Sequence, residues 1–175
     1  MIKNVLLGLV AITAISCKSN AQETPADGEP MASTDQAYEV SKTDAEWKAI
    51  LTAEEYNILR EAGTERPFSS PLNDEKRPGT LICAACYAPV YENEHKFMSG
   101  TGWPSYDRAI DGQIVLDSDM KIGYKRDEAK CATCGSHLGH IFNDGPEETT
   151  GKRHCINGIA LDFVPEGQAL PELRK

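Results

Sequence analysis

The residues of this sequence whose type and spacing can do chemistry are its six cysteines: Cys17, Cys83, Cys86, Cys131, Cys134 and Cys155. Cys83-Ala-Ala-Cys86 and Cys131-Ala-Thr-Cys134 are both C-x-x-C pairs, and Gly135 follows the second. Two such pairs supply four thiolates to one tetrahedral Zn²⁺, each pair gripping from a tight turn. The stretch between them is longer than in a compact zinc finger, so it is expected to fold as a β insert between two knuckles. The alternatives are two disulfides or two redox pairs. A C-x-x-C disulfide closes a small, often strained loop, and two independent redox pairs in one small β domain would be unusual. One structural Zn²⁺ per chain is therefore the expectation, tying distant segments together and stabilising the fold directly. An oxidising compartment would compete for these thiols.

Cys17 belongs to a different segment. "MIKNVLLGLVAITAISC" has a basic residue, Lys3, and an apolar run from Val5 to Ile15. That run is short for a bilayer span and matches a signal-peptide core. It ends in Ala14-Ile15-Ser16-Cys17, small residues before a Cys, the pattern of a bacterial lipobox. The expectation is a signal peptide over 1–16, a lipid on Cys17, a flexible tether over 17–40 and a folded domain over 41–175. This places the protein in the bacterial cell envelope, in the periplasm and anchored to a membrane. The alternative is cleavage after Ser19-Asn20-Ala21 and free secretion. Residues 18 to 40 are Pro, Gly, Ser, Ala and acids with no apolar period, so they have little to bury.

With one cysteine assigned to lipid and four to metal, Cys155 remains, in "GKRHCINGIALDF". An unpaired cysteine in an exported chain needs a reason. Taken alone, it reads first as a small buried hydrophobe. Its neighbours argue for more. Arg153 and His154 flank it, and positive charge lowers a thiol pKa. His137 and His140 stand just upstream in "HLGHIFNDGP". Cysteine with histidine and asparagine is a set suited to nucleophilic sulfur chemistry. "SGTGWPS" presents Trp103 from a glycine-rich turn, where it offers a small ligand an apolar wall.

The elements that must position these groups are mostly strands. Two short helices come first, with capping-box spacing at Thr43/Glu46 and Thr52/Glu55, and Gly63 stands where the second should stop. From Leu81 onward, short β-like runs alternate with turns, which predicts a mainly β, antiparallel sandwich or small barrel. The last run, "RHCINGIALDFV", alternates so that Cys155, Asn157, Ile159, Leu161 and Phe163 share one face of a single strand. Composition adds an exclusion: 27 acidic against 18 basic residues give a net charge of −9. That disfavours nucleic acid, whose binding rests on clustered Lys and Arg.

Three blocks, "CAACYAPVYENEHKFMSGTGWPS", "KCATCGSHLGHIFNDGP" and "RHCINGIALDF", make the chain resemble the methionine-R-sulfoxide reductases, the MsrB family, over about residues 41 to 165. The resemblance implies an antiparallel β fold with short N-terminal helices and zinc on Cys83, Cys86, Cys131 and Cys134. It also implies a nucleophile at Cys155, a substrate-methyl wall at Trp103, and site histidines at His140 and His137, with Asn157 and Asp144 beside them. The implied reaction reduces the R epimer of methionine sulfoxide, free or peptide-bound, and leaves a sulfenic acid on Cys155. In that chemistry His140 is expected to be the general acid, His137 the second choice, and Arg153 to favour the thiolate. Asp144 is expected to orient the imidazole, and Asn157 to position water or the sulfenic acid. Many relatives carry a resolving cysteine where this chain has Thr101. A one-cysteine cycle is therefore expected, regenerated by a thioredoxin-like or other thiol reductant, in a monomer. Two other functions compete: a zinc-stabilised, non-catalytic binding module, and a general thiol oxidoreductase using the C-x-x-C pairs.

Overall fold

The computed structural model describes residues 37–120 and 123–175. The proposed leader, Cys17 and most of the proposed tether lie outside them. Residues 38–40, assigned by composition to the tether, are part of the folded region. Val40 is buried, its N–H donates to the Thr133 carbonyl at 3.0 Å, and the Tyr38 ring packs on Gly135.

Two helices open the domain, α1 (Asp44–Ile50) and α2 (Ala53–Glu61), and both capping boxes form. The Thr43 N–H donates to the Glu46 carboxylate at 2.7 Å, and the Thr52 N–H donates to Glu55 at 2.7 Å. Each box satisfies N–H groups that a helix start otherwise leaves open, worth about 1 kcal/mol. Helix α2 ends differently from the sequence expectation. Ala62, not Gly63, takes the left-handed conformation (φ 52°), and Gly63 follows it with a 3.0 Å bond to the Asn57 carbonyl. Gly63 is needed for space instead, since a Cβ there would stand 2.6 Å from the Asn57 side chain. Trp47, Tyr56, Ile58 and Leu59 are the faces the helices bury.

The rest is two antiparallel sheets. The smaller is ordered β2 (Pro89–Glu92), β1 (Gly79–Cys83), β9 (Leu161–Pro165). The larger is ordered β3 (Lys96–Phe97), β4 (Ser105–Tyr106), β8 (Arg153–Ile156), β7 (His137–Phe142), β6 (Arg126–Cys131), β5 (Ile114–Asp119). Leu81, Val90, Tyr91, Tyr106, Leu138 and Ile156 fill the core with under 2 % of their surface exposed. The Tyr91 and Tyr106 rings stack at 4.5 Å.

The mainly β expectation holds, but the single last strand does not. It breaks at Asn157, makes a 3₁₀ turn over Gly158–Ala160, and resumes as β9 in the other sheet. Alternation therefore does not carry across from Cys155 to Leu161. The break places Cys155 on an inner strand of the large sheet and sends the following residues to the small one.

Candidate active site and metal centre

The four C-x-x-C sulfurs gather at one place. Cys83 ends β1 and Cys131 ends β6, so the two knuckles come from different sheets. Cys83 Sγ lies 3.8 Å from Cys134 Sγ, and Cys86 Sγ lies 3.7 Å from Cys131 Sγ. A tetrahedral ion with metal–sulfur bonds of about 2.3 Å requires sulfur–sulfur edges of about 3.8 Å. The spacing therefore fits a zinc-sized ion and is far too long for a disulfide's ~2.05 Å.

The two knuckles share one backbone plan. The Tyr87 N–H donates to the Cys83 carbonyl and the Gly135 N–H to the Cys131 carbonyl, both at 2.8 Å. Tyr87 and Gly135 then turn left-handed, at φ 67° and 69°. All four cysteines are at least 98 % buried. Contact with Cys131 pushes the Cys83 thiol up and the Cys134 thiol down. Four thiolates do not share this space without a cation.

Cys155 stands apart from that cluster. In the register of the large sheet it lies opposite Ser105 on one side and His140 on the other. Directly opposed residues in an antiparallel pair put their side chains on the same face. Strand β7 approaches so closely that a Cβ on Gly139 would stand 2.1 Å from the Cys155 carbonyl oxygen. Cys155, His140 and Trp103 line one small open pocket with Thr64, Arg126 and Phe142. Cys155 is only partly exposed. Burial pushes its thiol above the ordinary 9.0, against the opposing pull of Arg153 and of a hydrogen bond from Thr101. Arg153 thus acts in the expected direction but loses to burial, so the resting group is the thiol.

His140 is positioned by a partner the sequence did not suggest. Its Nε2 lies 2.7 Å from Asp119 Oδ2, and Asp119 also binds Arg126, opposite it across the β5–β6 pair. The carboxylate partner assigns the proton to Nε2 and leaves Nδ1 as the basic nitrogen. Burial lowers the His140 pKa below 6.5, so the ring rests neutral. His137 lies behind it, 3 % exposed, with Nδ1 2.7 Å from Glu128 and its ring 5.2 Å from that of His140. It packs the imidazole from behind and does not line the pocket, which weakens its case as an alternative acid.

Two further expectations are corrected. Asp144 does not orient His140. It is largely exposed and takes a two-pronged bond from Arg153, at 2.9 Å on each arm, which holds its carboxyl below the usual range. Asn157 reaches the pocket wall, but both ends of its amide are committed to backbone. Its Oδ1 accepts from the Glu65 N–H at 3.0 Å, and its Nδ2 donates to the Leu138 carbonyl at 3.0 Å. Those two bonds make it a strut at the strand break.

The matching family model is the SelR domain, over residues 51–165. The peptide methionine sulfoxide reductase MsrB of Leifsonia xyli is 48 % identical over 132 residues, covering 75 % of this chain and 95 % of that protein. The MsrB of Chromohalobacter salexigens is 49 % identical over 127 residues, covering 72 % and 96 %. The chain belongs to the SelR, or MsrB, family. Among solved structures, the Mis18 'Yippee-like' domain matches with a TM-score of 0.42 and 14 % identity, over 53 % of this chain and all of that one. That likeness is too slight to bear on the site.

Two members of this MsrB site escaped the sequence. Asp119 sits in a run with no motif, and only the pairing of β5, β6 and β7 brings it to His140. Glu65, in the Pro-rich stretch, is 5 % exposed. Its carboxylate accepts from the N–H groups of Gly158 (2.5 Å) and Ile159 (3.1 Å), and its carbonyl accepts from Trp103 Nε1 at 3.2 Å. One residue thus fixes both the tryptophan wall and the chain just after Cys155. A buried acid in a loop gives no periodic signal to find it by.

Proposed function

We propose that this protein reduces the R epimer of methionine sulfoxide to methionine, with Cys155 as nucleophile and a structural Zn²⁺ on Cys83, Cys86, Cys131 and Cys134. The observation that carries the reading is the isolation of Cys155 from the metal cluster, together with its shared pocket with His140 and Trp103. The names of the relatives support the substrate class. When bound, the metal joins the two sheets and takes no part in the reaction.

The chemistry follows from resting protonation. A sulfoxide sulfur is electrophilic, but its oxygen leaves only if protonated. Burial keeps Cys155 as a thiol and His140 as a neutral base. As the Cys155 sulfur attacks, its proton passes to His140 Nδ1 and on to the sulfoxide oxygen. Asp119 stabilises the imidazolium formed in between. Trp103 packs against the S-methyl group. The balance is thiol plus sulfoxide giving sulfenic acid plus thioether: Cys155 is oxidised by two electrons and the sulfoxide reduced by two.

Regeneration uses external thiol. One thiol displaces water from the sulfenic acid to give a mixed disulfide, and a second releases Cys155. The proposed donor is an exported thioredoxin-like protein; the leader-like N-terminus supports a reading in which the chain works in the bacterial cell envelope, bound through a lipid on Cys17. There it repairs oxidised exported proteins as a monomer. The test is reduction of purified epimers with dithiothreitol. Turnover of the R epimer alone is the expected result. Turnover of the S epimer, or of neither, contradicts the proposal.

A further inference from the structure

Beside the catalytic pocket, and sharing Trp103 with it, runs a second groove lined by Phe68, Phe97, Met98 and Pro104 together with polar groups that include Asp74 and Lys96. Two of its apolar residues stand open to solvent: Phe68 is 72 % exposed and Met98 71 %. Phe68 is also strained. Its φ is 62°, the left-handed region that bulky side chains rarely occupy, and its N–H is held at 2.7 Å by the Gly102 carbonyl. Strain of this kind persists only where the surroundings enforce it, and it clusters at ligand clamps. Here it holds an exposed phenyl ring against Gly102, the residue before Trp103.

We infer that this groove binds an apolar side chain next to the oxidised methionine of a polypeptide substrate. The inference rests on the reductase reading above and names its substrate class: peptide-bound methionine sulfoxide with apolar neighbours. The occupant follows from continuity. A methyl sulfoxide seated between Cys155 and Trp103 leaves its own backbone at the pocket mouth. The neighbouring Cα atoms are about 3.8 Å away along the chain, and the next about 7 Å, so a flanking side chain reaches the adjoining groove that shares Trp103. Such neighbours are what methionine has in a protein core, and a core exposes them once oxidation makes the methionine polar. A free amino acid has nothing to place there.

The test compares kcat/KM for three R-epimer substrates: N-acetyl methionine sulfoxide, and blocked tripeptides with the sulfoxide flanked on both sides by leucine or by glycine. The wild-type chain and a Phe68→Gly, Met98→Ser variant are measured side by side. Glycine accepts the left-handed backbone, so the variant is expected to fold, and its Tm is recorded. The wild type is expected to favour leucine flanks over glycine by about 5-fold or more, the scale of partly burying one such side chain. The variant is expected to lose that preference while reducing the acetyl substrate at the wild-type rate. Equal rates on both tripeptides in the wild type, or a preference that survives in the variant, would overturn the inference and leave the reductase assignment standing. A wild type that reduces none of the three overturns both.

Discussion

Five cysteines in the folded region divide into two environments, and the difference shows how one side chain serves two purposes. Cys83 and Cys131 end strands of two sheets, Cys86 and Cys134 lie in the turns that follow, and all four sulfurs gather together, sealed from solvent. Cys155 lies in β8, lines a pocket, and has around it an imidazole, a guanidinium and a hydroxyl; among the described residues it stands outside the sulfur cluster. At the metal end nothing needs to move, and every sulfur has three others within 4.8 Å. At the proposed reactive end the thiol shares its pocket with one group that can take its proton, the neutral imidazole of His140. Topology makes this separation: the break at Asn157 sends the chain from the reactive strand toward β1 and the knuckle, within one short stretch.

The sharpest way to break the comparison is to remove one thiol from each environment. Cys155→Ser should abolish sulfoxide reduction and leave the melting temperature within a few degrees of wild type. Cys134→Ser should lose metal and unfold or strongly destabilise the domain, since metal binding in such sites is folding energy. Kinetics, metal analysis and thermal melts on the two variants decide it. A Cys134→Ser protein that keeps its metal, its melting point and its turnover would merge the two classes.

The next test bears on the reactive end alone. His140→Ala should slow the reductase step by about 10²- to 10⁴-fold, the usual weight of one proton-transfer group. His137→Ala should do less, because that ring lies behind the pocket. The pH profile of kcat/KM sharpens this. The reactive state carries one proton between Cys155 and His140. Burial lowers the His140 pKa below 6.5 and raises the Cys155 pKa above 9.0, so the plateau should extend beyond both values. A profile that rises steeply from pH 7 to 9 would show a free thiolate as the reactant and contradict the assignment.

Thr101 offers a change in product more than in rate. Its hydroxyl hydrogen bonds to Cys155, and it stands where many relatives are expected to carry a resolving cysteine. Thr101→Cys should therefore yield an intramolecular disulfide with Cys155 after one turnover, seen by mass spectrometry as a loss of two hydrogens. Persistence of the sulfenic acid in that variant would show the position to be out of reach.

The smallest expected effect lies on the far side of strand β8. Burial pushes His154 down to about 4, and its Nδ1 takes a 3.1 Å hydrogen bond from the Tyr91 hydroxyl. A histidine with a depressed folded pKa binds its proton more readily when unfolded. Stability is then fully present above about pH 6.5 and falls as pH drops toward 4, by at most ~3 kcal/mol and by less with partial solvent screening. Thermal melts from pH 7 to 4 on wild type and His154→Phe check this. Equal acid sensitivity in both would assign the effect elsewhere.

Much of this was legible in the sequence because it is written in local spacing. Both C-x-x-C pairs, both capping boxes and the glycine-rich turn before Trp103 need only a few consecutive residues to declare themselves. What was not legible depends on which strands meet. Asp119 reaches His140 only through the order β5, β6, β7, and Asp144 is turned instead toward Arg153. The break at Asn157 was hidden because Ile159, Leu161 and Phe163 continue the alternation begun at Cys155 straight through a 3₁₀ turn. Tertiary bonds from Glu65 to Gly158 and Ile159 stabilise that turn, and no local rule anticipates a partner 93 residues away.

The central claim is that Cys155 alone among the cysteines of the folded domain is oxidised by substrate. It is tested most directly by one turnover without reductant. The metal-loaded domain is given one equivalent of R methionine sulfoxide, trapped with dimedone, and examined by mass spectrometry for the modified peptide and for retained metal. The account predicts one dimedone adduct on Cys155 and full retention of the metal. An adduct or disulfide at Cys83, Cys86, Cys131 or Cys134, with release of the metal, would contradict it.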